Sequence, residues 1–599
     1  MKKITLALLM IAVFCYGQYG YWGHYLLDKA YEENPGFLMP IRSITPEMES
    51  LGEEMTGLYS DILSNMSFNP ALLADVTHAL FQIDFANQKP LEPAYSSIFP
   101  FYNYADNCMF VPPYYQRTIH QEISPLFRIA SAFQAEKIPA NFAFSYELIK
   151  YTGNYYENYS YGGYQYGYDA FNERAMDEAV IQVPEIMAAG DDTKSKLSHK
   201  LSMLSALKMS QDISAGIKFS FFSDHVDGDY RSFQRNNDDE TDYENYYDNT
   251  DTRNNKINQY EATFGVNYEN EFDRIGFSGG WITGSDKQQR LRVDTSYYYH
   301  DQEDYLDYEC FYKNSNSSLH QENWKNTGNT GFISINGSHV IQNFNLLYRV
   351  EYLLNQTDIS NNGQSQDTAY YHSSHYDNYN LKYYFYENQS GSHENRTGDG
   401  IRDQSRYTIG LALQNENPKK NFSLGIIYQQ YYSDKEVVEN SLDQRKSDNF
   451  SELYQWRQQD QNTDLKFNRT ETIRNLKIPV SFVFHSKNGW RLRTTLTKII
   501  GDREATESVL IKYYSYLLVS NDEEINKHQN ELYKGTPEKE SIDRILFRAY
   551  VEGDFSENIT FFVLFNDLFV SKGNEYRYYN TDSDLLNIGN WKFGLEFKF

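Results

Sequence analysis

Cysteine is nearly absent: 599 residues carry three. Cys15 lies in the leader described below, so Cys108 and Cys310 can form at most one bridge, and no disulfide framework holds the fold. Long apolar runs are also missing. After Ile4–Phe14 no segment approaches the roughly 20 consecutive apolar residues of a membrane helix. Basic charge is in short supply, with 55 Lys and Arg against 82 Asp and Glu and a net charge of −27. A polyphosphate partner requires a basic surface, so nucleic acid is excluded as a partner. There is no Gly-rich phosphate loop, zinc-ligand spacing or nucleophile elbow. The chain therefore reads as a non-enzyme without a cofactor.

Aromatic residues are plentiful: 54 Tyr and 38 Phe in a chain of mean hydropathy −0.69. The first residues, Met1, Lys2 and Lys3, precede the apolar run Ile4–Phe14 and then Cys15, Tyr16, Gly17 and Gln18. Small side chains at Cys15 and Gly17 fit a signal-peptidase cut before Gln18, so residues 1–17 read as a secretory signal peptide. Phe14 is too large for the position before a lipidated cysteine.

Beyond the leader the dominant pattern has period two. In the last nine residues Trp591, Phe593, Leu595, Phe597 and Phe599 are large and apolar, while Lys592, Gly594, Glu596 and Lys598 alternate with them. Such a strand, ending in a free Phe carboxylate, resembles the terminal signal that the barrel assembly machinery recognises in outer-membrane proteins. The same alternation recurs upstream as hairpins. These are 542–555 with 559–565, 476–485 with 490–496, 407–413 with 422–431, 332–340 with 344–354, 260–268 with 275–281 and 197–209 with 213–221. Residues 76–85, 126–133 and 142–151 add three earlier strands. The expectation is an all-β membrane protein, an antiparallel transmembrane β-barrel of about 16 strands, or 14 if the earliest are not strands. Its turns are short on one side. The connections on the other side, 222–256, 283–326, 355–406, 432–474, 500–540 and 571–590, read as long polar loops, the asymmetry of outer-membrane barrels.

Before the first strand the period changes. Residues 47–65 read as broken helix, and Asn69-Pro70-Ala71 turns the chain toward the strand at Val76. The domain reading is thus signal peptide 1–17, an N-terminal periplasmic or plug-like segment 18–75, and barrel 76–599. The stretch from Gly57 to Phe85, with the turn Asn69, Pro70, Ala71, resembles the FadL-like superfamily, which includes hydrocarbon and fatty-acid transporters and type IX secretion shuttle proteins. The resemblance implies a plugged outer-membrane barrel. Its motif residues carry a structural turn only. The approach to the turn departs from the family's Gly/Ala-rich pattern.

Other motifs are weighed against blander readings. The Tyr-rich run 155–169 offers rings for stacking on sugars or proteins, but reads first as an interfacial loop. Asp224, Asp227 and Asp229, the acidic block 238–251 and Thr397-Gly398-Asp399-Gly400 carry carboxylates without the spacing of a calcium loop. His372, His375 and Asp377 have metal-ligand spacing but no cysteine. His78 and His485 fall on inward strand faces with no nucleophile beside them. None of these is assigned a ligand. The expected partners are outer-membrane lipid, lipopolysaccharide and the barrel assembly machinery. The functional expectation is a passive channel or uptake protein for small molecules, hydrophobic ones included, in the outer membrane of a diderm bacterium. The alternative is a barrel that displays loops for adhesion or serves a secretion complex.

Overall fold

Period-two sequence becomes one sheet closed on itself. The computed structural model describes residues 37–86 (except 60), 126–135, 140–153, 188–238, 243–303, 308–377, 382–415, 420–450, 455–486, 489–520, 524–526, 531–534, 538–566 and 590–599. In chain order the strands are β1 (Leu80–Ala86), β2 (Phe127–Gln134), β3 (Ala140–Gly153), β4 (Ala188–Lys208), β5 (Ile213–Asp238) and β6 (Tyr243–Glu269). They continue with β7 (Asp273–Glu303), β8 (Tyr308–Ile341), β9 (Phe344–Asp377), β10 (Lys382–Asn415), β11 (Lys420–Phe450), β12 (Gln455–His485) and β13 (Trp490–Ser520). Last come β14 (Glu524–Asn526), β15 (Glu531–Lys534), β16 (Glu538–Ser556), β17 (Ile559–Asn566) and β18 (Asn590–Lys598). Each pairs antiparallel with its neighbours. β14 and β15 are short pieces that pair with β13 above the end of β16, so sixteen strands form the wall.

Closure is made by β18, which pairs with β17 on one edge and with β1 on the other, Phe81 opposite Phe597 and Phe85 opposite Phe593. The Phe599 amide donates to the Ala79 carbonyl at 2.9 Å and extends the seam. Outward rings ladder across it: Phe85 lies 5.6 Å from Phe593 and 5.1 Å from Phe127. Closing the sheet removes every edge in the hydrocarbon layer, where an unpaired backbone group would cost several kcal/mol.

Alternation sorts the faces. On β9 Phe344, Val350, Tyr352 and Leu354 point outward and are exposed, while Arg349, Glu351 and Leu353 point inward and are buried. The outward apolar belt spans about the 9–11 residues that a tilted strand needs to cross a bilayer. Its upper edge is aromatic: Phe221 packs on Tyr260 at 5.2 Å and Tyr407 on Tyr428 at 5.7 Å, with Trp281 and Tyr352 beside them. Amphipathic rings suit that boundary.

Five of the segments read as long loops are corrected, and the sixth, 571–590, lies almost wholly outside the described residues. β5 to β13 do not stop at the belt. They run on for up to 34 residues, about 110 Å of extended chain at roughly 3.3 Å per residue. β9 and β10 stay in register from Asn415 opposite Phe344 to Lys382 opposite Asp377. The sequence hides this because strand faces that meet water on the outside need no apolar alternation. Among the described residues β1, β2, β17 and β18 are far shorter.

Residues 37–76 lie inside this wall. Helix α1 (Pro46–Leu51) starts at Thr45, whose hydroxyl accepts from the Met48 amide at 3.1 Å, and ends at Gly52, where φ is +111°. After a single 3-10 turn and Gly57, helix α2 (Ile62–Phe68) follows, then a 3-10 turn over Pro70–Asp75. Short helices of this kind are marginal alone. They are held by burial, with Leu63, Met66, Leu73 and Val76 packed on Ala130, Ala132, Ala143 and Leu204 of the wall. A second cluster joins Met48, Leu51, Met55 and Leu58 to Leu347, Ala412 and Ile427.

Candidate functional site

The site is the interface between the lumenal segment 37–76 and the inner wall, and its side chains come from strands all around the barrel. Inward positions recur at every second residue, so each strand offers one or two polar side chains at the level of the segment. On β5, Lys218 is buried and donates to the carbonyls of Ile41 and Ser67, both at 2.9 Å, beside Glu261 of β6 at 2.5 Å. Gln259 and Glu261 accept from the amides of Leu38 and Ile41. Arg349 of β9 donates to the carbonyls of Glu54 and Thr56 at 3.1 and 2.7 Å.

One cluster gathers cations on an aromatic ring. Two guanidiniums lie near Phe68, Arg349 at 4.6 Å and Arg42 at 4.9 Å from the ring centroid. Both cations share the buried carboxylate of Glu351, which Arg406 also reaches at 3.1 Å. Desolvated cation–π contacts of this kind are worth about 2 kcal/mol.

The opposite side of the segment carries carboxylates. Glu47 receives Arg493 at 2.8 Å and Arg491 at 3.0 Å, both from β13. Burial pushes its carboxyl up, but the two guanidiniums outweigh burial and hold it below the usual carboxylate range. Glu49 pairs with Lys592 of β18 and takes the Asn566 amide of β17. Glu54 meets Lys477 of β12 at 3.5 Å, with Arg548 of β16 near. Here too the cations overcome burial and keep the carboxyl low. Asp61 is the contrast. Burial and the charge of Glu47 raise it, although the hydroxyls of Ser64 and Thr45 donate to it.

The turn Asn69, Pro70, Ala71 sits against three neighbouring strands that each present glycine. A Cβ on Gly216 would lie 2.5 Å from the Pro70 carbonyl carbon, and one on Gly276 would lie 2.6 Å from the Asn69 amide nitrogen. Gly265 faces the Asn69 side chain still more closely. Asn69 caps the following turn through the Ala71 amide at 3.1 Å and donates to the Val266 carbonyl at 3.2 Å.

Other sequence candidates disperse. Asp224 points inward to Ser198 and Lys196, whereas Asp227 takes Asn254 at 2.7 Å and His225 at 2.8 Å on the outer face. Thr397–Gly400 lies within β10 and forms no turn. Asp251 in the acidic block is bound by Arg290 at 3.0 and 2.6 Å. The His372 ring stands edge-on to Phe311 and Phe385 at 5.2 and 5.1 Å, and no group of metal-binding side chains occurs among the described residues. His78 and His485 are exposed at the short-turn rim: His78 precedes β1, and His485, the last residue of β12, keeps the inward register of Ser481 and Val483. Residues 155–169, the leader and Cys108 lie outside the described residues. Sequence reasoning missed Lys218, Arg349 and Arg493. Their sole signal is a basic residue at an inward position of an otherwise acidic chain.

Fold and site together define a plugged transmembrane β-barrel. No family model and no curated protein matches the chain. Among solved structures it is similar to the ferric enterobactin receptor of Pseudomonas aeruginosa, with 8% identity over 88% of this chain and 81% of that one at a TM-score of 0.28. The outer membrane transporter YddB of Escherichia coli gives 7% identity over 87% and 81%, TM-score 0.26. The siderophore receptor PirA of Acinetobacter baumannii gives 8% over 88% and 81%, TM-score 0.27. These likenesses are too slight to carry a function.

Proposed function

We propose that this chain is an outer-membrane uptake barrel of a diderm bacterium, closed at rest by residues 37–76. The observation that carries the reading is how the plug is held. It joins no strand of the sheet and docks through side chains, with Arg349, Arg493, Lys218 and Lys592 gripping its carbonyls and carboxylates. A body held that way can leave without unzipping the wall. The short-turn rim faces the periplasm and the tall wall the exterior, where lipopolysaccharide surrounds it. The terminal strand, with Trp591, Phe593, Leu595, Phe597 and Phe599 outward, serves the assembly machinery. The resemblance of the Asn69-Pro70-Ala71 turn to FadL-like proteins supports a plug. The charged lining of the lumen does not favour hydrophobic cargo. Liposome swelling tests the reading: solute should enter faster through protein lacking residues 18–76 than through the full chain, and no flux from either form would end it.

A second reading, a barrel that displays a surface for adhesion or a secretion complex, draws on one feature. β5 to β13 rise more than twice as far as a membrane strand needs. Shortening β8–β9 and β9–β10 by matched pairs above Asn355 should abolish that role and leave solute entry intact.

A further inference from the structure

Three plug carboxylates, Glu47, Glu49 and Glu54, dock on one arc of wall. The arc is supplied by Lys477 of β12, Arg491 and Arg493 of β13, Arg548 of β16 and Lys592 of β18. These strands are neighbours in the sheet, with β17 between the last two contributing Asn566. Among the described residues, the wall carboxylate in contact with the arc is Glu552, 2.5 Å from Arg491. Elsewhere wall cations meet wall carboxylates: Arg128 meets Asp84, Lys218 meets Glu261, and Arg349 and Arg406 share Glu351. The arc differs in that its neutralising charge comes from the plug. When the plug leaves, five cations face the lumen with Glu552 in contact and Asp84, already held by Arg128, near Lys592. With the plug in place Arg493 is fully buried and Lys592 nearly so, and buried cations need an anion, which the plug supplies.

We propose that this arc is the anion-binding and selectivity site of the open barrel, taking small solutes with several carboxylate or phosphate groups, and that the plug's acidic helix occupies it as a stand-in for such a solute. The inference rests on the uptake reading. Positively lined lumens select anions, and a one-sign lining with low-dielectric walls concentrates its counter-ion. Competition follows: a polyanion that fills the arc releases the plug.

The test uses the full-length protein in detergent with Cys15→Ser, Cys108→Ser, Cys310→Ser and Ser50→Cys, so that one thiol remains. Ser50 is buried on α1 beneath Arg493, so a maleimide reaches it only when α1 lifts. Citrate should accelerate labelling by roughly tenfold or more over sodium chloride of equal ionic strength, the lower end of such focusing. The acceleration should vanish with Lys477→Gln and Lys592→Gln. Equal labelling in citrate and chloride overturns the proposal. A second measurement takes Glu47→Gln, Glu49→Gln, Glu54→Gln in planar bilayers, where the reversal potential in a salt gradient should show anion preference. A current that prefers cations also overturns it. Release by citrate with no current in any variant keeps the anion site and ends the uptake reading instead.

Discussion

Arg493 on β13 and Glu47 on the plug, 446 residues apart in sequence, meet at 2.8 Å, and the same guanidinium lies 4.9 Å over the ring of Tyr59. Its partners also include the Glu47 carbonyl at 3.2 Å and the Tyr59 hydroxyl at 2.9 Å. Removing one partner of a buried pair costs about 3–5 kcal/mol because the other charge is stranded. Arg491 still reaches Glu47, so Arg493→Ala should fall near the lower figure. Limited proteolysis should cut the segment 37–76 in that variant at protease levels that leave the wild type and Arg503→Ala plugs intact. Equal resistance would place the holding force elsewhere.

The glycines under the Asn69 turn make a steric prediction. Gly265→Ala or Gly216→Ala drives a methyl into Asn69 or the Pro70 carbonyl carbon, and overpacking of this kind costs about 1–3 kcal/mol. Gly331→Ala meets nothing closer than 3.9 Å and should fall within about 0.5 kcal/mol of wild type. Thermal unfolding in detergent, followed by circular dichroism, should separate the first two variants from the third.

Much of this wall was legible in sequence. The terminal strand from Trp591 to Phe599 announced both its faces, and the hairpins downstream of Leu197 fell where the belt demands alternation. The upper halves of β5 to β13 were not, because residues such as Thr252, Asn254 and Lys256 face water and leave no apolar period. The plug was visible as a change of period near Glu47. Its docking was not, because Lys218, Arg349 and Arg493 lie in three distant hairpins and only closure of the sheet brings them together.

The seam gives a prediction about assembly. Phe81 and Phe597 face each other at 5.9 Å and Phe597 stacks on Phe599 at 6.3 Å. Aromatic pairs contribute about 0.5–1.5 kcal/mol each beyond burial. Phe597→Ala should lower the temperature at which the barrel loses its compact gel migration, and removal of Phe599 should cut the fraction assembled in cells. If both variants assemble at wild-type levels, the C-terminal residues are mere strand filler.

Acid should loosen the plug. Glu47 faces Arg491, Arg493 and Tyr59, and Glu54 faces Lys477 and Arg548; both carboxyls are held below their ordinary range. A group with a depressed folded pKa stabilises docking above its free value, about 4.3 for Glu, and that stabilisation is lost as pH falls through the depressed value. Asp61, raised by burial, acts in the opposite sense and favours docking when protonated, so it offsets part of the loss. Labelling at Ser50→Cys, divided at each pH by the labelling rate of a free exposed thiol because only the thiolate reacts, should stay low from pH 7 to about 4 and rise below that. A flat profile down to pH 2 would show that these carboxylates do not hold the plug.

The most direct measurement is hydrogen exchange along residues 37–76 in the intact, detergent-folded protein. The amide of Leu38 donates to Gln259 at 2.8 Å, that of Ile41 to Glu261 at 2.5 Å and that of Gly57 to Asn65 at 2.8 Å, all buried in the lumen. Buried, bonded amides exchange only when their unit opens. The expected result is protection of this segment comparable to the strands β8 and β9 around it, lost in Arg493→Ala while the strands stay protected. Exchange of residues 37–76 at the rate of an unstructured peptide in the wild type would contradict the plugged barrel.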